Sequence, residues 1–247
     1  MKKKVKHILS IIVMVVLLGY IVMAAVAFCP KPADVPCAGV EVRSMGRGVS
    51  QFEDNAEILS ILRRYNLDPT GRPMEQVSCA AIEDTLSHLS LVLRCECYKT
   101  VSDKVCVEIT CRKPILRVIP DKGSSFYIDR EGVVVDRLPR PVYLPVATGR
   151  ISKDFATHEL FQLASFLQRS NFWDSQIEQI NVKADNNVEL IPRVGDHVIR
   201  FGKVENMKYK FGKLKTFYEK GLPQVGWDRY SVIDVSYGNQ VVGVKKK

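Results

Sequence analysis

Residues Ile8 to Phe28 read ILSIIVMVVLLGYIVMAAVAF, an uncharged run directly behind the basic opening MKKKVKH. A helix of that length rises about 30 Å, the hydrocarbon thickness of a bilayer. The reading is a retained transmembrane helix over 8–28, with residues 1–7 as a cytoplasmic tail. Lysines ahead of a span stay in the cytoplasm and send the rest of the chain outward, so the body is expected outside the cytoplasm. A cleavable signal peptide is the rival, because Ala25-Val26-Ala27 resembles a small-residue cleavage site. The apolar run, however, exceeds the ~7–15 residues of a signal core. Lipidation at Cys29 is weaker, with Phe28 standing where such sites want a small residue.

The formal net charge of +9 looks at first like a nucleic-acid signal. Lys2, Lys3, Lys4 and Lys6 at one end and Lys245, Lys246 and Lys247 at the other supply most of it, leaving about +2 for the body. Nucleic-acid binders carry their basic patch on the fold itself, so that class is excluded. The chain has 247 residues, room for one large domain or two small ones. Its cysteines, Cys29, Cys37, Cys79, Cys95, Cys97, Cys106 and Cys111, all lie in the first half. Their odd number leaves a thiol unpaired whatever bridges form. Cys95 and Cys97 share a strand face, where a bridge between such neighbours would be strained. No Cys/His spacing suits zinc. Thiols acting as small apolar side chains are the preferred reading.

Along the chain, CPKPADVP (29–36) reads as a stiff linker. VEVR (40–43) alternates as a short strand and ends at a Gly46–Gly48 turn. Ala56–Asn66 has a helical apolar face, and Ser78–Leu89 is a second helix with Ser78 as N-cap. Leu91–Tyr98 and Val105–Cys111 alternate as a hairpin with one buried face. Strand, helix, helix, strand, strand over 37–119 makes a compact α+β unit. The second half, 120–247, reads as a mixed or antiparallel β-sheet domain with flanking helices. Its expected elements are two strand pieces in FYIDREGVVV (126–135), a helix over Asp154–Arg169, and strands at Ile177–Val182, Val188–Pro192 and His197–Gly202. A helix over Asn206–Lys220 then places Met207, Phe211, Leu214, Phe217 and Tyr218 on a stripe. Its lysines are expected on a solvated face, with Gly221 as the stop signal. A closing strand ends the chain.

No catalytic constellation stands out. His7, His88, His158 and His197 are scattered, and the chain has no G-x-S-x-G elbow, phosphate loop or H-E-x-x-H. Glu83 and Asp84 point to different helix faces, and Asp154 and Glu159 read as capping or solvated groups. The expectation is a binding protein, not an enzyme, with no cofactor and no metal.

Several segments in order resemble the FtsQ/DivIB family of cell-division proteins. The strand–helix–helix–strand–strand unit is similar to a POTRA module. CVEITCRKPILRVIP (106–120) resembles that module's third strand and the Arg-Lys-Pro directly after it. FYIDREGVVV resembles the strand–Asp–x–x–Gly–strand step into the second domain. YLPVATG (143–149) and VIDVSYGNQVV (232–242) resemble the later Leu-Pro segment and the closing strand. The resemblance implies a non-catalytic inner-membrane protein of the division septum, with its body in the periplasm. It implies upstream division proteins as partners of the POTRA-like module. It also implies that FtsB/FtsL coiled-coil subunits add a strand beside Tyr237, Gly238, Asn239, Gln240, Val241, Val242, Gly243 and Val244. Val244 stands where some members carry an aromatic. A terminal strand is also a natural sheet edge open to β-augmentation. The alternative is a POTRA-bearing, membrane-anchored chaperone or secretion subunit, although those proteins usually carry several such modules or a barrel.

Overall fold

The structure, a computed structural model, describes residues 2–27, 35–45 and 55–246, with side chains in the first stretch described for 12–24. Lys2–Ala27 forms one unbroken helix, α1. Its described side chains from Ile12 to Met23 are exposed. Among the described residues, no helix is long and apolar enough to cross a membrane. Phe28, the linker as far as Asp34 with Cys29, the Gly46–Gly48 turn and Lys247 lie outside the described residues.

The smaller unit has the expected order. Strand β1 (Gly39–Ser44) is followed by helices α2 (Asn55–Arg64) and α3 (Cys79–Ser87), then by strands β2 (Val92–Lys99) and β3 (Lys104–Cys111). β3 is central, parallel to β1 through Val42↔Val107 and antiparallel to β2 through Cys97↔Val107. Its alternating Val105, Val107 and Ile109 are fully buried against Ile58 and Leu62 of α2 and Ile82 and Leu86 of α3. Ser78 caps α3, its Oγ accepting from the Ala81 N–H at 3.3 Å. Glu83 reaches from α3 to β2, where its carboxylate accepts the Cys97 N–H at 2.6 Å. Among the described residues, Cys37, Cys79, Cys95, Cys97, Cys106 and Cys111 are thiols, buried or half-buried.

The larger unit is one mixed sheet of nine strands. β4 (Pro114–Pro120), β5 (Phe126–Asp129) and β6 (Val134–Val135) form one end of it. β7 (Val146–Gly149) and β8 (Ile177–Val182) run parallel to β4 and to each other. Beyond them lie β9 (Val188–Pro192), β10 (Val198–Gly202), β11 (Tyr230–Asp234) and, at the other end, β12 (Val242–Lys245). Helices α4 (Lys153–Phe155), α5 (Phe161–Gln168), α6 (Asn171–Gln176), α7 (Met207–Thr216) and α8 (Leu222–Val225) complete the unit. Leu163, Leu167, Trp173, Phe211 and Leu214 from these helices share a core with Val118, Ile180, Leu190, Ile199, Phe201 and Ile233 of the sheet. Successive strand residues point to opposite faces. Thr148, Gln179, Glu189, Arg200 and Val232 therefore face away from that core and are half-buried or exposed.

Several expectations change. Pro114–Pro120 pairs with β5 and β7, so the change of sheet falls just after Cys111 and not at residue 119. Its two prolines stand at the strand ends, where a missing N–H costs least. The 154–169 helix is interrupted by a π-helical turn over Ala156–Leu160. The short α6 was not anticipated; Ser170 caps it and Trp173 anchors it in the core. The 206–220 helix runs from α7 through a π-turn (Phe217–Gly221) into α8. Gly221 is thus no stop signal: a Cβ there would lie 2.7 Å from the Phe217 ring. The stop is Gly226, in the left-handed region at φ 95°. Nor are the lysines of this helix uniformly solvated. Lys210 is only 6% exposed; its Nζ donates to the Lys203 carbonyl at 2.7 Å and sits 4.9 Å from the Phe201 ring centre.

The two units share a boundary. Val135 of β6 and Leu138 are buried in the smaller unit's core with Leu91 and Val92. Arg112, just past β3, pairs with Asp129 at the end of β5 and with Glu131.

Candidate interaction edge at the end of the sheet

β11 is held firmly on one side. It runs parallel to β10 through Val198↔Val232, Ile199↔Ile233 and Arg200↔Asp234, and the Val235 N–H still reaches the Arg200 carbonyl at 2.9 Å. There the strand stops. Asp234 Oδ1 accepts the Ser236 N–H at 2.9 Å and the Ser236 hydroxyl at 2.6 Å, an Asx-type turn that diverts the backbone. The chain then loops through Tyr237 to Val241 before returning as β12.

The closing segment is accordingly a hairpin and not one strand. Of the residues expected to receive a partner strand, Val242, Gly243 and Val244 lie on β12, while Tyr237, Gly238, Asn239, Gln240 and Val241 form the loop before it. Lys245, outside that expectation, completes the strand. The alternation of Val232 to Val235 into the core gives no hint of the break; the polar Ser-Tyr-Gly-Asn-Gln run is the signal that marks it.

β12 is antiparallel to β11, with Asp234↔Val242, Ile233↔Gly243, Val232↔Val244 and Tyr230↔Lys245. Val242 is 36% and Val244 45% exposed. Both point to the face that carries Val198 and Val232, so Val198, Val232 and Val244 make an apolar row that runs out to the edge. On the opposite face the Tyr230 ring lies over Gly243, where a Cβ would come within 2.5 Å of it, and its centre is 5.8 Å from that of the tilted Phe217 ring. The far end of β12 is tied down by the Lys246 N–H to the Arg229 carbonyl at 3.0 Å and by Lys246 Nζ to Asp196 at 3.2 Å.

Beside Asp196, His197 is buried at 1% exposure, and its Nε2 lies 2.6 Å from the Tyr218 hydroxyl. Its Nδ1 has no hydrogen-bond partner. Burial, then the Lys246 charge, push the imidazole below its ordinary pKa, with Asp196 working the other way. Burial pushes the Tyr218 phenol up, so both groups are neutral near pH 7. His88 and His158 are exposed beside Asp84 and Asp154 one helical turn earlier. Among the described residues, no three His, Cys, Asp or Glu side chains gather in a metal-binding group.

A strand–helix–helix–strand–strand module in series with a mixed sheet whose last strand is an exposed edge defines a two-module α+β architecture. Residues 35–110 match the POTRA-like domain. Residues 113–244, more than half of the chain, match the family described as FtsQ/DivIB, C-terminal related. The chain belongs to that FtsQ/DivIB family and is a cell-division protein. No curated protein is similar enough to the chain to be matched to it.

Proposed function

We propose that this chain is a non-catalytic scaffold of the division machinery that links early- to late-arriving division proteins at the septum. In this reading residues 8–28 anchor it once in the inner membrane, with residues 1–7 cytoplasmic and the body periplasmic. The POTRA-like module receives upstream division proteins. FtsB/FtsL-like coiled-coil subunits add a β-strand at β12. The observation that carries the reading is the position of Val242–Lys245, the outermost strand of the nine-stranded sheet with every side chain exposed. Such a strand offers backbone N–H and C=O groups to an incoming chain, and Val242 and Val244 offer apolar side-chain contacts.

The Lys246 N–H and the Val244 carbonyl both face β11, so by alternation the Lys245 N–H faces outward, and proline at Lys245 removes a backbone donor from that edge. The test is capture of the FtsB/FtsL-like pair by full-length protein in detergent, wild type against Lys245→Pro. Loss of capture with unchanged circular dichroism and melting supports strand addition. Undiminished capture by a folded variant rules it out. Depletion of the protein should leave filamentous cells with unclosed septa, and normally dividing cells would overturn the division role itself.

A further inference from the structure

The loop between β11 and β12 contains no strand ladder, and its backbone carbonyls must find partners elsewhere. They find one ammonium group. Lys213 Nζ donates to the carbonyls of Val235 at 3.2 Å, Gly238 at 3.0 Å and Gln240 at 3.3 Å, and also to that of Tyr237. An ammonium has only three N–H donors, so these are shared among four converging oxygens, much as a small cation is coordinated. The Tyr209 ring, one turn earlier on α7, lies 5.0 Å from the same Nζ. Its hydroxyl donates to Asn239 Oδ1 at 3.2 Å. The helix that presents these two side chains is itself fixed, because Phe211 and Leu214 on either side of Lys213 are buried in the main core.

We propose that Lys213 is the positioning residue of the edge strand: its ammonium is a built-in cation around which residues 235–240 fold, and it sets the register in which β12 returns to β11. The consequence for partner binding rests on the strand-addition reading given above. Arginine cannot substitute, because a planar fork directs its donors outward and cannot serve four oxygens that converge on a point. A small free alkylammonium can, once the lysine side chain is removed.

The test is amide hydrogen exchange on the full chain in detergent, for wild type, Lys213→Met, Lys213→Arg and Lys213→Ala. Exchange over 235–245 should accelerate about tenfold or more in each variant, while β8 to β10 keep their protection. Methylammonium chloride should restore part of the lost protection in Lys213→Ala, and sodium chloride at the same ionic strength should not. Unchanged exchange in 242–245, or equal recovery with both salts, overturns the proposal. If Lys213→Met does not fold, Lys213→Gln and Tyr209→Phe carry the test: loosening confined to 235–245 supports it, and none or uniform loosening refutes it. Capture of the FtsB/FtsL-like pair separates the two readings. A loosened β12 with capture intact sinks strand addition and leaves the role of Lys213 standing. An unaltered β12 sinks the role of Lys213 whatever capture does.

Discussion

Arg112 Nη1 lies 2.9 Å from Oδ2 of Asp129, and this contact joins the residue just past the last strand of the POTRA-like module to the β5–β6 turn of the larger sheet. Asp129 is 2% exposed, and its other oxygen accepts the N–H groups of Glu131 at 2.9 Å and Val133 at 2.7 Å. One carboxylate thus shapes the β5–β6 turn and receives the guanidinium. The Arg-Lys-Pro segment and the Asp-x-x-Gly segment, 17 residues apart at the pair, supply the two halves of one ion pair. Replacing Asp129 with alanine orphans two backbone donors and leaves Arg112 only its contact with the more exposed Glu131. The expected loss is about 2–4 kcal/mol in chemical denaturation. Arg130→Ala, exposed beside the pair, is the control and should cost far less.

Gly243→Val should disrupt the edge directly. Its side chain would enter the space of the Tyr230 ring, with an expected destabilisation of about 1–3 kcal/mol. In a double-mutant cycle with Tyr230→Ala, much of that penalty should vanish, because the ring that clashes is gone. A purely additive cycle would show that the ring is not the obstacle.

Val244→Asp changes only the exposed end of the Val198–Val232–Val244 row. The melting transition should stay within about 0.5 kcal/mol of wild type, since the side chain is largely in solvent. Capture of the FtsB/FtsL-like pair should fall, because an ion placed on the contact must be desolvated. Full capture would place the contact off this row.

The His197 imidazole is held below its ordinary pKa by burial and then by Lys246, opposed by Asp196, with the Tyr218 hydroxyl as its hydrogen-bond partner. The unfolded chain therefore binds its proton more readily than the folded one. The stability this group contributes is complete above the unfolded value of about 6.5 and is lost as pH falls below that towards the folded value. His197→Gln should flatten the stability profile below about pH 6.5 relative to wild type, as read by urea titrations at a series of falling pH values.

Thiol chemistry should be muted in the native state. Burial, then the nearby Glu83 and Glu96 carboxylates, push the Cys95 thiol up to about 11. Burial and then the hydrogen bond with Cys79 push Cys97 higher still. Iodoacetamide near pH 8 should label both slowly in folded protein and rapidly in urea, with mass spectrometry of peptides as the readout. Rapid native labelling of Cys97 would contradict its burial.

Much of the fold was legible where periodicity was long and one-sided. Ile58 with Leu62, Ile82 with Leu86, and the Val105–Val107–Ile109 alternation report burial through spacing alone, and they gave the module its order. β8, β9 and β10 were legible for the same reason. What escaped depends on contacts between distant residues. The pairing of Pro114–Pro120 with β7 is invisible locally, because two prolines argue against a strand until its neighbours are known. Lys210 and Lys213 read as surface charges, since composition cannot reveal that their ammonium groups meet backbone carbonyls. The terminal edge was legible as an edge, but its interruption at Asp234 required a side-chain turn and a lysine from another element.

The burial of Val135 and Leu138 in the smaller module's core gives the large sheet a direction. One terminus, β6, is only two residues long, and its Val135 side chain is spent on the core of the chain's own first domain. The opposite terminus, β12, presents an edge four residues long with every residue exposed. Two copies meeting through β12 would use up the long edge of each, so association by this route closes at a pair and leaves only a two-residue strand at either end.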